Sequence, residues 1–131
     1  MEKIKDRITQ TVIKHMLSRG ADGLTTDSIA RSTGMSKKTL YRYFRDKTSM
    51  LETAVDYFFS RVEKQLQSCI YESRGQSAEE RVGRWFNILG SSISRVNPAL
   101  LEGFEYKHPD LWKRINTLRE KLITVQLGSL L

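Results

Sequence analysis

The chain has one cysteine and two prolines in 131 residues, and no uninterrupted apolar run approaches the ~20 residues a membrane-spanning helix needs. A single cysteine, Cys69, excludes an intramolecular disulfide and fits a reducing cytoplasm. No cationic neighbour marks it for activation, so packing as a small hydrophobe is its expected role. The first ten residues, MEKIKDRITQ, are charged and lack the apolar core of a secretion signal. His15 and His108 lie far apart, Cys-x-x-Cys and His-x-x-x-His spacings are missing, and no glycine-rich phosphate loop occurs, so neither a metal site nor a cofactor nor catalysis is expected. The acidic pair Glu79-Glu80 sits where a helix start explains it. No alternating stretch is long enough to suggest a sheet, which leaves an all-α fold.

What the chain does have is positive charge at one end. Residues 1–50 carry 11 Lys and Arg against 5 Asp and Glu, a net +6, whereas residues 51–131 carry 11 against 10, a net +1. A basic segment on a nearly neutral remainder fits attraction to phosphate through one end of the molecule, although a solvated basic face has the same composition.

Within that basic end, Thr25 to Lys47 reads TTDSIARSTGMSKKTLYRYFRDK, two short helices joined by a tight turn. The Thr25-Thr26 pair supplies a hydroxyl cap, with Asp27 in the first turn, where a carboxylate meets the positive helix end. Ile29 and Ala30 then face inward. Gly34, four residues after Ala30, suits the turn because glycine accepts a left-handed backbone. Ser36 caps the second helix, in which Leu40 and Phe44 share one face while Lys38, Thr39, Arg42 and Arg45 point largely the other way, flanked by Tyr41 and Tyr43. Apolar anchors beneath with cations, hydroxyls and phenols above form a surface that donates to phosphates and base edges. Asp46 caps the following helix and Lys47 opens it.

These residues resemble the TetR family of bacterial transcriptional regulators. The matching pieces are a helix ending in Gly20, then Leu24-Thr25-Thr26, Ile29-Ala30, Gly34-Met35-Ser36-Lys37, Leu40-Tyr41-Arg42-Tyr43-Phe44, and Lys47 followed by Leu51. The resemblance implies a helix-turn-helix head over residues 1–46 and a helical ligand-binding and dimerisation body over 47–131. It implies that Thr26 and Lys47 hold phosphates, that Ser36, Lys37, Lys38 and Thr39 lie at the mouth of the major groove, and that Tyr41 and Tyr43 touch backbone or base edges, with Arg42 between them on the DNA-facing side. Lys38 departs from the pattern, in which a small residue is common. The partners implied are a double-stranded DNA operator, a second copy of the chain in a homodimer and a small-molecule effector; the function implied is that of a ligand-responsive repressor on a palindromic site. A helical protein-interaction module and a sequence-blind nucleic-acid binder are the alternatives, separable by the exposed face of the second helix and by sequence preference.

The remaining residues read as helices. Ile4, Ile8, Val12 and Met16 stripe a first helix; Leu51, Val55, Phe58, Val62 and Leu66 stripe a long one from Asp46 to about Ile70. The segment ESRGQS breaks the chain, and Ser77 with Glu80 starts a helix whose apolar face runs through Val82, Trp85 or Phe86, Leu89, Ile93 and Val96 until Asn97-Pro98. A short helix from Pro98 to about Tyr106 follows, then one opened by His108-Pro109 along Leu111, Ile115, Leu118 and Leu122. The resemblance makes Trp85, Phe86, Phe104, Tyr106 and Trp112 candidates for lining a ligand pocket; aromatics at helical spacing are also ordinary core. The family commonly continues with further helices that pair two subunits, so for a body ending in VQLGSLL the expectation is either an incomplete body or dimerisation achieved another way.

Overall fold

A computed structural model describes residues 2–20, 24–96 and 104–130. Among them every regular element is helical: α1 (Glu2–Arg19), α2 (Thr26–Thr33), α3 (Lys37–Tyr43), α4 (Lys47–Glu72), α5 (Ala78–Ser94), α6 (Phe104–Lys107) and α7 (Pro109–Leu130). The all-α expectation holds. No described helix is long and apolar enough to cross a membrane, and no described group of three or more His, Cys, Asp or Glu is placed to hold a metal ion.

Local chemistry sets the boundaries of the first four helices. Gly20 closes α1 at φ 77°, the left-handed conformation that costs glycine nothing. Thr25 caps α2 by accepting from the Ser28 N–H, while the Ser28 hydroxyl receives the Thr25 N–H in return, a reciprocal capping box. Gly34 ends α2 at φ 71°; its N–H donates to Arg31 and that of Met35 reaches back to Ala30, which satisfies two carbonyls the helix end would otherwise orphan. Ser36 caps α3 through the Thr39 N–H, and Asp46 caps α4 through the Ser49 N–H at 2.8 Å.

Two departures concern α3. It ends at Tyr43, so Phe44 is buried not as a helical residue but as an extended one beyond the helix, with Lys5 Nζ 5.4 Å over its ring. Arg45 also lies past the helix, beside Asp46 at 3.5 Å, and is no part of the outer face of α3. Both follow from Asp46, whose extended backbone as the cap of α4 requires the preceding helix to stop first.

One apolar cluster joins Ile8, Val12, Met16, Leu24, Ile29, Leu40, Phe44, Met50, Leu51, Ala54 and Val55 with Phe104 and Leu111. The core of the head thus crosses residue 46 and takes in the start of α7. Ile4, the first residue of the expected stripe, is left outside at 37% exposure. A second cluster farther along α4 joins Val62, Leu66, Cys69, Trp85 and Leu122, so Cys69 is a packing residue. α4 runs from the first cluster to the second, the turn at 73–77 sends α5 back along it, and α7 runs outward again from Leu111 to Leu122. Ser77 caps α5 through the Glu80 N–H at 3.2 Å. The expected stop at Asn97-Pro98 and the start of the helix from Pro98 lie outside the described residues.

Candidate nucleic-acid interface

Seven residues of α3 are held from below by Leu40, which is fully buried against α1, α2 and α4; burying a leucine is worth roughly 1.5–3 kcal/mol. The opposite face of α3 is therefore presented outward. Arg7 Nη2 donates to the Thr33 carbonyl at 2.9 Å and fixes the end of α2 on α1, which holds the turn and the angle between α2 and α3.

Polar contacts tie the starts of α2 and α3 to each other. The Thr26 and Tyr41 hydroxyls share a hydrogen bond of 3.2 Å, and Lys37 Nζ meets the Asp27 carboxylate at 2.7 Å. That hydrogen bond, and then the attraction of the Asp27 charge, raise the Lys37 pKa above its ordinary value, so the lysine stays cationic. Ser36 and Thr39 also bond through their hydroxyls, at 3.0 Å. Among the described residues neither Lys38 nor Arg42 has a hydrogen-bond or ion-pair partner, and both are exposed. Tyr41 is 47% exposed, whereas Tyr43 is half-buried and packs against the first cluster. Lys47 is half-buried in the first turn of α4.

Thr26, Ser36, Lys37, Lys38, Thr39, Tyr41 and Arg42 thus belong to two adjoining helix starts and the outer side of α3. Tyr43 is drawn partly into the core and has less side chain to offer a ligand. What the sequence reading missed is Asp27 as the partner of Lys37. Its position in the first turn of α2 accounts for it electrostatically, and the ten-residue separation from Lys37 carries no helical period; only the Gly34 turn brings the two together.

The five aromatic candidates in the body do not converge. Trp85 is buried in the second cluster and Phe104 in the first; Trp112 packs edge-on to Phe104 with centroids 6.2 Å apart. Phe86 and Tyr106 face outward at 52% and 84% exposure. Helical phase explains the split: one turn of α5 cannot point Trp85 and Phe86 to the same side, and Trp85 takes the inner one. His108, expected as a helix-start residue, accepts the Trp112 N–H at its carbonyl, at 2.9 Å. Two concavities do occur along α4. One, about 330 Å³, is an open groove against α5 bordered by Lys64, Cys69, Glu72 and Arg84; the other, about 90 Å³, lies against α7 near Phe59, Leu122 and Gln126. None of the five aromatics borders either.

Comparison with known proteins agrees with the head. Residues 13–54 match the family model described as bacterial regulatory proteins, tetR family. An uncharacterized HTH-type transcriptional regulator, YvaF, of Bacillus subtilis (strain 168) is 31% identical over 106 residues, 81% of this chain and 55% of that protein. The nucleoid occlusion factor SlmA of Pasteurella multocida (strain Pm70) is 37% identical over 134 aligned residues, 91% of this chain and 63% of its own length. The biofilm operon icaADBC HTH-type negative transcriptional regulator IcaR of Staphylococcus aureus (strain Newman) is 38% identical over 56 residues, 43% of this chain and 30% of that protein. The chain spans about half the length of YvaF and less than two thirds of SlmA.

Proposed function

The chain belongs, through residues 13–54, to the TetR family of bacterial regulatory proteins, and on that premise we propose that it is a sequence-specific DNA-binding transcriptional regulator acting in the cytoplasm, a repressor that occupies a palindromic operator as a dimer. The observation that carries this reading is the outer side of α3, where the unpaired cations of Lys38 and Arg42 stand beside exposed Tyr41 on a helix anchored from beneath by Leu40. A helix so mounted fits the major groove, with Thr26, Lys37 and Lys47 meeting phosphates and Ser36, Lys38, Thr39, Arg42 and the tyrosines near base edges. A protein-interaction scaffold has no use for this set of donors. No catalytic step belongs to the reading.

Residues 1–46 act in it as the reading head and 47–131 as the regulatory body. α4 enters both clusters and is the lever: a small molecule bound in the body displaces it and moves the two heads out of register with successive grooves. Arg114 holds Asp56 of α4 through two hydrogen bonds of 2.7 and 2.6 Å, so α7 moves with it. Repression, rather than activation, is supported by the negative regulator IcaR among the similar proteins.

In fluorescence anisotropy with an operator duplex, Tyr41→Ala and Lys47→Ala each weaken binding while far-UV circular dichroism stays unchanged. Arg42→Ala changes which duplexes are preferred. Unchanged binding in both Tyr41→Ala and Lys47→Ala would sink the assignment of this surface.

The similarity to SlmA across 91% of the chain favours a second reading, in which the same head serves nucleoid occlusion instead of the control of a gene. Mapping bound sites on the chromosome separates the two: a few sites at promoters support the regulator, many sites dispersed over the nucleoid support the other.

A further inference from the structure

Gln126 is the one amide side chain that the described residues bury, at 3% exposure, and its Oε1 has no hydrogen-bond partner among them. Buried polar atoms are almost always paired, so an orphan points to a partner from outside the chain. Gln126 stands in the wall of the cavity of about 90 Å³ between α4 and α7. Phe59 of α4 and Leu118 and Leu122 of α7 line much of the rest with hydrocarbon, while Glu63 of α4 and Lys121 of α7 bring opposite charges to it from facing helices. Those charges do not close on each other. Among the described residues no ion pair joins them, and Glu63 accepts only a 3.4 Å hydrogen bond from the Gln67 amide on its own helix.

We infer that this cavity is a binding site for a small aliphatic amino acid. A zwitterion answers every group that borders the space: its ammonium donates to Glu63 and to the Gln126 oxygen, its carboxylate accepts from Lys121, and a short side chain rests on Phe59, Leu118 and Leu122. A ligand with a single charge does not, because an amine meets Lys121 and an acid meets Glu63 as like charges. Size gives the same answer, since the cavity has the volume of about three waters and excludes a drug-sized molecule. The site deepens the ligand-responsive reading proposed above and, as regulation, rests on it. Phe59 packs against both clusters, and Asp56, three residues nearer the head, is held by Arg114 of α7. A zwitterion drawn between Glu63 and Lys121 therefore acts on α4 beside the point at which α7 is fastened to it.

Isothermal titration calorimetry on the intact chain without DNA, with L-alanine and L-valine as probes, tests the site. At least one binds with a Kd of roughly 1 mM or below. Ethylamine and propionate, which each keep one charge of alanine, bind at least about tenfold more weakly than the amino acid. Glu63→Gln and Lys121→Gln, both at exposed positions, weaken the amino acid by about tenfold with circular dichroism unchanged. Gln126→Leu weakens it too yet melts no lower than the parent, because an apolar group replaces an unpaired one; a glutamine that serves the fold alone would lower the melting temperature. No heat with either amino acid, equal affinity for propionate or ethylamine, or unchanged affinity in both Glu63→Gln and Lys121→Gln overturns the site. Binding that leaves operator affinity unchanged in anisotropy keeps the site and removes its part in regulation. A chain that binds the amino acid but prefers no DNA sequence keeps the site and removes the regulator; one that selects an operator and ignores both amino acids keeps the regulator and removes the site.

Discussion

In the DNA contact proposed above, the Lys37–Asp27 pair tempers how strongly the head attracts DNA before any base is read. The 2.7 Å pair holds one of the cations of α3 against a carboxylate, and both groups are more than half exposed, so phosphate competes for the lysine in water at little cost. Asp27→Asn removes that competitor. We expect tighter binding to DNA of any sequence and a steeper fall of affinity with salt, read from titrations at several salt concentrations; weaker binding would mean that Asp27 positions Lys37 instead of restraining it. His15 poses a second question at this scale. Its Nε2 faces the Ser32 hydroxyl at 2.9 Å, its Nδ1 is buried without a partner, and burial, then the charges of Arg19 and Lys14, lower its pKa below 6.5. The folded state therefore binds fewer protons there than the unfolded chain. The associated stability is present above the unfolded value of 6.5 and is lost as pH falls toward the lower folded one. The melting temperature is expected to drop as pH falls below about 6.5, and to drop less in His15→Gln; equal slopes would remove His15 from the explanation.

Among the elements, the pair α2 and α3 was the most legible in the sequence, because caps and turns are local chemistry. Thr25, Gly34, Ser36 and Asp46 each act within four residues of themselves, so their roles follow from spacing alone. Gly34→Ala tests this directly. At φ 71° an added Cβ meets no neighbour but strains its own backbone, so we expect a loss of roughly 1–2 kcal/mol in urea unfolding without a change in helical content. A neutral result would mean that the turn relaxes. Partners distant in sequence were not legible: Asp27 with Lys37, Arg7 with the Thr33 carbonyl and Asp56 with Arg114 depend on how helices meet, which no periodicity encodes. The same limit applied to α5, where five apolar positions and Trp85 could not be sorted into an inner and an outer side until α4 was in place. The end of α3 is hidden for a related reason, since Phe44 continues the apolar spacing yet belongs to the link that Asp46 extends.

At the scale of the molecule, the basic charge of residues 1–50 lies at the end that carries α3, and the first cluster runs from that end into α6 and α7 through Phe104 and Leu111. Head and body therefore share packed side chains, and these are the route by which the proposed displacement of the body would reach α3. The aromatic pocket suggested by resemblance did not assemble, because Trp85 and Phe104 each serve a different cluster. The reading of the whole rests on DNA recognition by α3, and selection of bound sequences from random duplex DNA, run with the intact chain at two salt concentrations, tests it most directly. DNA recognition by α3 should recover a two-fold symmetric motif, with total binding reduced but the motif kept at higher salt. Recovery of no preferred sequence, with binding that merely fades as salt rises, would contradict it and leave the basic end as an electrostatic anchor.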